Sequence, residues 1–215
     1  MTPSLLVVLD VDSTLIEQEV IELLADAAGA REAVADITRR AMEGELDFAA
    51  SLRERVATLA GLPVSVVDGV ADRVVVTAGV PELVARVHAL GGSIAAVSGG
   101  FHEVLDPLAA RLGLDTWRAN RLEVAEGRLT GRVDGPIVDA AAKAAALAEW
   151  AAETGTPIPR TVAIGDGAND LLMMEAAGLS IAFDAKPRVR AAADLVLPGR
   201  DLARVIPLLG SAARG

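Results

Sequence analysis

Leu5-Leu6-Val7-Val8-Leu9-Asp10-Val11-Asp12-Ser13-Thr14 carries the chain's first apolar run and ends it on an acid. Five consecutive apolar residues, two of them β-branched, suit a strand buried on both faces of a parallel sheet, where apolar side chains need not alternate with polar ones. Asp10 then stands at the strand's carboxyl end, and Asp12, two residues on, points to the same side. In open parallel sheets, ligands bind in the crevice outside those carboxyl ends. Two readings fit the stretch taken alone. It delivers two carboxylates and two hydroxyls for chemistry, or it is a turn whose Asp, Ser and Thr cap the next helix.

With 215 residues there is room for one large domain, or for a core with a modest insertion. At 52% hydrophobic residues the chain can build a large core; only 2% are aromatic and none is Tyr, so Ala, Val and Leu must fill it. No uncharged apolar run of about 18 residues is present, which argues against a membrane span and a membrane partner. The first apolar run is short and lacks a basic stretch before it, unlike a signal peptide. The absence of Cys excludes disulfides, thiolate nucleophiles and thiolate metal sites together. A cytoplasmic location is the default expectation. A net charge of −10 and a pI of 4.7 argue against a nucleic-acid partner, which needs a basic footprint. A small anionic ligand stays compatible, because a few cations in one cleft can hold a phosphate whatever the global charge.

Beyond Thr14 the pattern turns helical. Ile16, Val20, Ile21, Leu23 and Leu24 recur at helical spacing up to Gly29, and Ala30 to Met42 predicts a second helix stopped by Gly44. Asp47 is placed to cap a third, with Phe48, Leu52, Val56 and Leu59 on one face and Gly61 at its end; Ser65 to Val74 gives a fourth. Roughly residues 16–75 are therefore expected to form a helical insertion, with 1–15 and 76–215 making an α/β core. Strand and helix then alternate: helix 81–90, strand 93–97, helix 101–112, helix 140–152, strand 161–164, helix 170–177 and strand 179–183. Helices 187–193 and 201–209 close the chain around a short strand at 195–197. Between them, Leu122, Val124, Leu129 and Val133 flank Glu126-Gly127, a hairpin signal. Such alternation predicts a doubly wound, mainly parallel α/β sheet with a small β-hairpin.

Three further places invite chemistry. Val97-Ser98-Gly99-Gly100 again ends an apolar strand; its glycines admit close backbone approach and its Ser adds a hydroxyl, though an ordinary Gly-rich turn has the same composition. Gly165-Asp166-Gly167-Ala168-Asn169-Asp170 resembles half of a dinucleotide fingerprint, but Asp170 stands where the third Gly belongs. Two carboxylates and a carboxamide in five residues suit a hard cation better, and a capped turn is the plainer alternative. Lys143 is the chain's only Lys besides Lys186, and an isolated lysine on an Ala-rich helix is ordinarily just solvated. If the sheet gathers Asp10, Asp12, Asp166 and Asp170, each pair about 6 Å apart repels by roughly 3 kcal/mol at an effective dielectric near 20. A divalent cation among them resolves that repulsion. Small-residue donors and a Lys beside a metal then describe a phosphoryl-transfer site.

Asp10-Val11-Asp12-Ser13-Thr14 matches the DxDST signature of haloacid-dehalogenase-type phosphotransferases. Ser98, Lys143 and Gly165-Asp166-Gly167-Ala168-Asn169-Asp170 match the family's other three motifs in order. The sequence is most similar to the phosphoserine phosphatase branch. The likeness extends to Ala41-Met42-Glu43-Gly44, Phe48, Ser51-Leu52-Arg53-Glu54-Arg55, Phe101 and Ala119-Asn120-Arg121, and covers nearly the whole chain.

The resemblance implies a Rossmann-like core with a helical cap, and a Mg²⁺-dependent phosphatase that hydrolyses O-phospho-L-serine through an aspartyl-phosphate, the last step of serine synthesis. Asp10 would be the nucleophile and Asp12 the acid and base. Mg²⁺ would be held by Asp10, the Asp12 backbone carbonyl and Asp166, with Asp170 in support. Ser98, Gly99, Gly100, Lys143 and Asn169 would bind the phosphoryl group; Glu19 would meet the substrate ammonium, Arg55 its carboxylate, and Met42 and Phe48 would wall the pocket. With the first motif at residue 10, no additional amino-acid-binding domain is expected before it. The partner is a small phosphomonoester, and the protein is expected to be a monomer or homodimer. The alternative keeps the chemistry and changes the substrate or acceptor, as in phosphoryl transfer from phosphoserine to homoserine. A signalling receiver domain also gathers acids, a hydroxyl and a Lys, but its fold has no place for the helical insertion. A Ser98–His102 hydrolase pair lacks the G-x-S-x-G elbow, and His88, Trp117 and Trp150 read as packing or surface residues.

Overall fold

In a computed structural model, which describes residues 5–212, β1 (Leu6–Leu9) is followed by four helices: α1 (Val20–Ala28), α2 (Arg31–Met42), α3 (Phe48–Ala57) and α4 (Val64–Ala71). Alternation begins with α5 (Val80–Ala89), β2 (Ser93–Phe101), α6 (His102–Leu112), β3 (Thr116–Ala125) and β4 (Arg128–Asp134). It continues through α7 (Ala140–Glu153), β5 (Thr161–Gly165), α8 (Leu171–Ala176), β6 (Leu179–Phe183), α9 (Pro187–Ala192), β7 (Leu195–Leu197) and α10 (Ile206–Ala212). The seven strands lie in the order β4-β3-β2-β1-β5-β6-β7, and every neighbouring pair is parallel except the β3–β4 hairpin. The expected doubly wound sheet is therefore the fold. From β1 the chain first builds toward β2 and then toward β5, so β1 sits at the topological switch point, where such sheets bind ligands.

All four residues of β1 are buried, and they alternate between two cores. Leu5, Val7 and Leu9 join one apolar cluster; Leu6 and Val8 join the other with Leu147, Trp150, Met173 and Val189 from α7, α8 and α9. Two buried faces explain the unbroken apolar run. The first cluster continues without a break into the insertion, through Leu24, Leu52, Val56, Val67 and Val70. The four helices thus share the core of one sheet face.

They are also tied at two places. Ile16 bridges Val76 at the base, with Glu17 N donating to the Val75 carbonyl at 2.9 Å. At the far end the α3–α4 loop pairs with the hairpin: Gly61 N donates to Leu129 O at 2.8 Å, and Leu129 N to Leu62 O at 2.9 Å. That pairing covers the outer edge of β4, which would otherwise be an open template for aggregation. The hairpin turns at Glu126 and Gly127, both left-handed (φ 51° and 72°), which matches the right-handed twist of the strands.

Several boundaries differ from the sequence reading. α1 starts at Val20 rather than Ile16, because residues 11–15 coil into a tight turn and Ile16 is held in the bridge. β2 runs on through Ser98-Gly99-Gly100 to Phe101, with its pairing to β3 breaking step between Val97 and Phe101. β3 begins at Thr116, well before the hairpin residues that announced it. The last expected helix is a short turn at Leu202–Val205 followed by α10.

Candidate active site

β1 delivers Asp10, 4% exposed, to the switch point, where its N–H donates to the Ile164 carbonyl at 2.9 Å. The next five residues fold back on themselves: Leu15 N donates to Asp10 O at 3.3 Å and Ile16 N to Val11 O at 3.0 Å. Ser13 takes a left-handed conformation (φ 59°), which costs a non-glycine residue about 1 kcal/mol or more and persists only when its surroundings hold it. Its hydroxyl donates to Glu19 Oε1 at 2.7 Å, and Thr14 Oγ1 donates to Asp166 Oδ1 at 3.4 Å. Neither hydroxyl caps a helix. The capping role falls instead to Asp12, whose Oδ1 accepts from Val20 N at 3.3 Å at the start of α1.

The end of β5 and the helix α7 converge on Asp10. β5 leads into Asp166 and, one short turn later, Asp170, which is fully buried with Oδ2 accepting from Gly167 N at 3.0 Å. α7, capped by Asp139 through Ala142 N at 2.9 Å, carries Lys143 inward. Lys143 is fully buried and is not a solvated helix residue: Nζ donates to Asp10 Oδ1 at 2.5 Å and to Asp170 Oδ1 at 2.7 Å. Carboxylate oxygens of Asp10, Asp166 and Asp170 lie within 4.8 Å of one another.

Burial, reinforced by Asp170, pushes Asp10 well above the usual carboxylate range. Burial and then Glu19 raise Asp12 to about 7; burial and Asp170 raise Asp166 to about 6. Burial lowers Lys143, but Asp10 and Asp170 together outweigh it and hold it above the ordinary lysine value. Among the described residues, Lys143 is the single cation hydrogen-bonded to this cluster. An all-oxygen donor set with surplus negative charge is the kind of site a hard divalent cation fits.

Above the cluster opens a cleft of about 610 Å³, within the range of small-ligand sites. Asp10, Asp12, Asp166, Asn169, Gly99 and Gly100 line its core side; Glu19, Met42, Phe48 and Arg55 line it from the insertion. Ser98, Lys143 and Asp170 lie below the floor, each 1% exposed or less. Gly99 faces the Phe48 ring so closely that a Cβ there would sit 2.8 Å from Cζ. At Gly100 a Cβ would meet Asp12 Oδ2 and Ser98 Oγ at 3.0 Å. Arg55 is half-buried, with Nε donating to Ser51 O at 3.3 Å and no carboxylate in ion-pair distance among the described residues. Burial lowers its pKa despite nearby Glu19. Met42 is 81% exposed and serves as rim rather than wall. A hollow of about 550 Å³ between α1 and α2 gathers no comparable acid cluster.

His102 has no part in this cleft. Its Nε2 accepts from Ala119 N at 3.1 Å, so Nδ1 carries the proton toward Asp106 Oδ1 at 2.6 Å, which Trp117 Nε1 also reaches at 2.7 Å. Trp150 is buried in the second core, with Arg118 stacked 5.5 Å from its ring centroid. Among the cleft residues that escaped the sequence reading are two cations, Lys186 just before α9 and Arg188 in its first turn. Their place just past a strand's carboxyl end was the available signal.

The family profile described as haloacid dehalogenase-like hydrolase matches residues 7–175. The chain belongs to that family. A phosphoserine phosphatase of Streptococcus thermophilus is 52% identical over 204 residues, covering 95% of each protein. One of Streptomyces coelicolor is 55% identical over 205 residues, covering 95% of this chain, which spans about half (50%) of that relative's length. A solved substrate-bound phosphoserine phosphatase complex superimposes with a TM-score of 0.91 at 40% identity, covering 97% of this chain and 99% of that one. A phospho-aspartyl intermediate analogue of phosphoserine phosphatase gives 0.90 at 41% identity, covering 96% and 99%. Among the described residues, no helix is long and apolar enough to cross a membrane.

Proposed function

We propose that this chain is a cytoplasmic, Mg²⁺-dependent phosphatase that hydrolyses O-phospho-L-serine to L-serine and phosphate, closing serine synthesis. One observation carries the reading: Asp10, at the switch point, is joined to Asp170 through buried Lys143 at the base of a cleft whose other wall presents Glu19 and Arg55. The full-length likeness to a phosphoserine phosphatase of Streptococcus thermophilus supports the substrate.

Asp10 attacks phosphorus in line, forming a carboxylate–phosphorus bond as the serine oxygen–phosphorus bond breaks. Asp12 gives its proton to the departing serine oxygen. Water then attacks the aspartyl-phosphate, Asp12 takes back a proton, and the Asp10 carboxylate is released with inorganic phosphate. Asp10, the Asp12 backbone carbonyl and Asp166 would hold Mg²⁺, which supplies charge neutralisation to the carboxylates and the phosphoryl oxygens, while Asp170 steadies Lys143. Gly99 and Gly100 bring backbone to the phosphoryl group, with Ser98, Lys143 and Asn169 contributing donors from around and below it. Residues 16–75 act as the cap over the core formed by 1–15 and 76–215. In that cap Glu19 meets the substrate ammonium and Arg55 its carboxylate, where a planar guanidinium suits two parallel bonds. Phe48 packs the Gly99 side and Met42 screens the mouth.

The test is phosphate release from a panel of small phosphomonoesters with Mg²⁺, with and without added homoserine. Preference for phosphoserine with water as acceptor supports the proposal. Phosphoryl transfer to the alcohol replaces it with the phosphotransferase reading.

A further inference from the structure

Asn120 is 1% exposed and lies where the sheet loses step. On β2 the three residues Ser98, Gly99 and Gly100 stand between Val97 and Phe101, whereas on β3 only Ala119 separates their partners Arg118 and Asn120. The extra residues lift β2 out of regular pairing, so the Gly99 and Gly100 carbonyls need other donors. The Asn120 carboxamide supplies them: Nδ2 donates to Gly99 O at 2.8 Å and to Gly100 O at 3.2 Å. Its Oδ1 accepts from Val138 N at 2.8 Å, just before the Asp139 cap of the helix that carries Lys143. The amide orientation is unambiguous, since a flipped group would face two carbonyls with its oxygen.

We infer that Asn120 is the positioning residue of the phosphoryl-binding strand end. This rests on the phosphomonoesterase reading above. In a trans peptide the C=O and N–H point in opposite directions, so drawing both glycine carbonyls toward β3 turns the following N–H groups away from it. Gly100 N then donates to Ser98 Oγ at 2.8 Å, which occupies a lone pair of that hydroxyl and leaves its proton for the anion. An anion meeting the carbonyl edges instead would be repelled. Through Val138 the same carboxamide keys this strand end to the helix holding Lys143 against Asp10. No side chain with a single polar atom could hold all three backbone groups.

The experiment compares wild type, Asn120→Ala, the milder Asn120→Ser, and a control, Thr161→Val. Thr161 is also fully buried and accepts from Gly178 N at 3.0 Å, but at the amino-terminal end of β5, away from the cleft. Melting temperature, amide exchange at Gly100 and Val138, and kinetics on phosphoserine and on phenyl phosphate are measured for each. Asn120→Ala should speed exchange at both amides by about tenfold, the equivalent of one hydrogen bond. It should also lower kcat by about 100-fold, as expected for a site misplaced by around 1 Å. The loss should be equal on the two substrates, because the defect lies at the phosphoryl group. Asn120→Ser should lose less, and Thr161→Val should lose stability without losing kcat. The inference is overturned if activity in all variants simply tracks melting temperature, or if Gly100 exchange is unchanged. If wild type hydrolyses no phosphomonoester, the phosphatase reading fails, and the exchange result alone then upholds or overturns the positioning role.

Discussion

Arg55→Ala separates recognition of the substrate's carboxylate from the phosphoryl chemistry. Arg55 is half-buried in the cleft wall, and among the described residues its side chain makes one hydrogen bond, from Nε to Ser51 O, so its terminal nitrogens are unspent. Removing one partner of a charge-assisted pair in such a setting costs about 2–5 kcal/mol. Taking about 3 kcal/mol, kcat/KM for phosphoserine should fall roughly 150-fold. Phenyl phosphate offers no carboxylate, and its kcat/KM should change by no more than about threefold, the scatter expected of a local packing change. The assay is continuous phosphate release with saturating Mg²⁺ on both substrates, with Arg55→Lys alongside. Lysine keeps the charge but loses the fork, so it should recover part of the loss. Equal losses on the two substrates would refute the assignment and make Arg55 a structural residue.

Chelation of divalent metal should stop turnover, and Mg²⁺ should restore it; activity that survives chelation leaves the carboxylate cluster without its counter-charge. Lys143→Met should destabilise the metal-free protein by about 3–5 kcal/mol, since it strands two buried carboxylates. That corresponds to a melting temperature lower by roughly 6–20 °C for a chain of this size, read by thermal unfolding with and without Mg²⁺; an unchanged melt would contradict the buried triad. Asp194 is held below the usual carboxylate range by the hydroxyl and N–H of Ser180, which donate at 2.7 and 2.8 Å. A depressed folded-state pKa means its contribution is present above the unfolded value and is lost as pH falls through the folded one. The melting-temperature gap between wild type and Asp194→Asn should therefore be widest near neutral pH and narrow in acid, and a gap independent of pH would refute it.

β1 was legible because burial on both faces removes the need for alternation, and the acid that ends the run marks the strand end. The hairpin was legible from Glu126-Gly127, whose left-handed pair leaves a compositional trace. The first half of β3 was not: Trp117 and Arg118 are half-exposed, and Trp117 spends its N–H on Asp106, so no period-2 pattern forms. The path of β2 through Gly99 and Gly100 was equally hidden, because what keeps the glycines extended is a side chain 20 residues away. Side-chain depth was also beyond sequence. Ser98 and Asp170 share motifs with cleft-lining residues, and Lys143 a helix with Ala140, yet all three lie beneath them, since only the fold decides which side chain reaches the surface. Ser13 and Thr14 looked like caps, but the tight turn aims them at Glu19 and Asp166.

The account stands on Asp10 as the atom that receives the phosphoryl group. Wild type and Asp10→Asn, mixed with Mg²⁺ and phosphoserine and quenched in acid within the first turnover, can be digested and read by mass spectrometry. The account predicts a phosphoryl adduct on the peptide containing Asp10 in wild type, and neither adduct nor phosphate release in Asp10→Asn. Sustained turnover by Asp10→Asn, or an adduct on another residue, would contradict it.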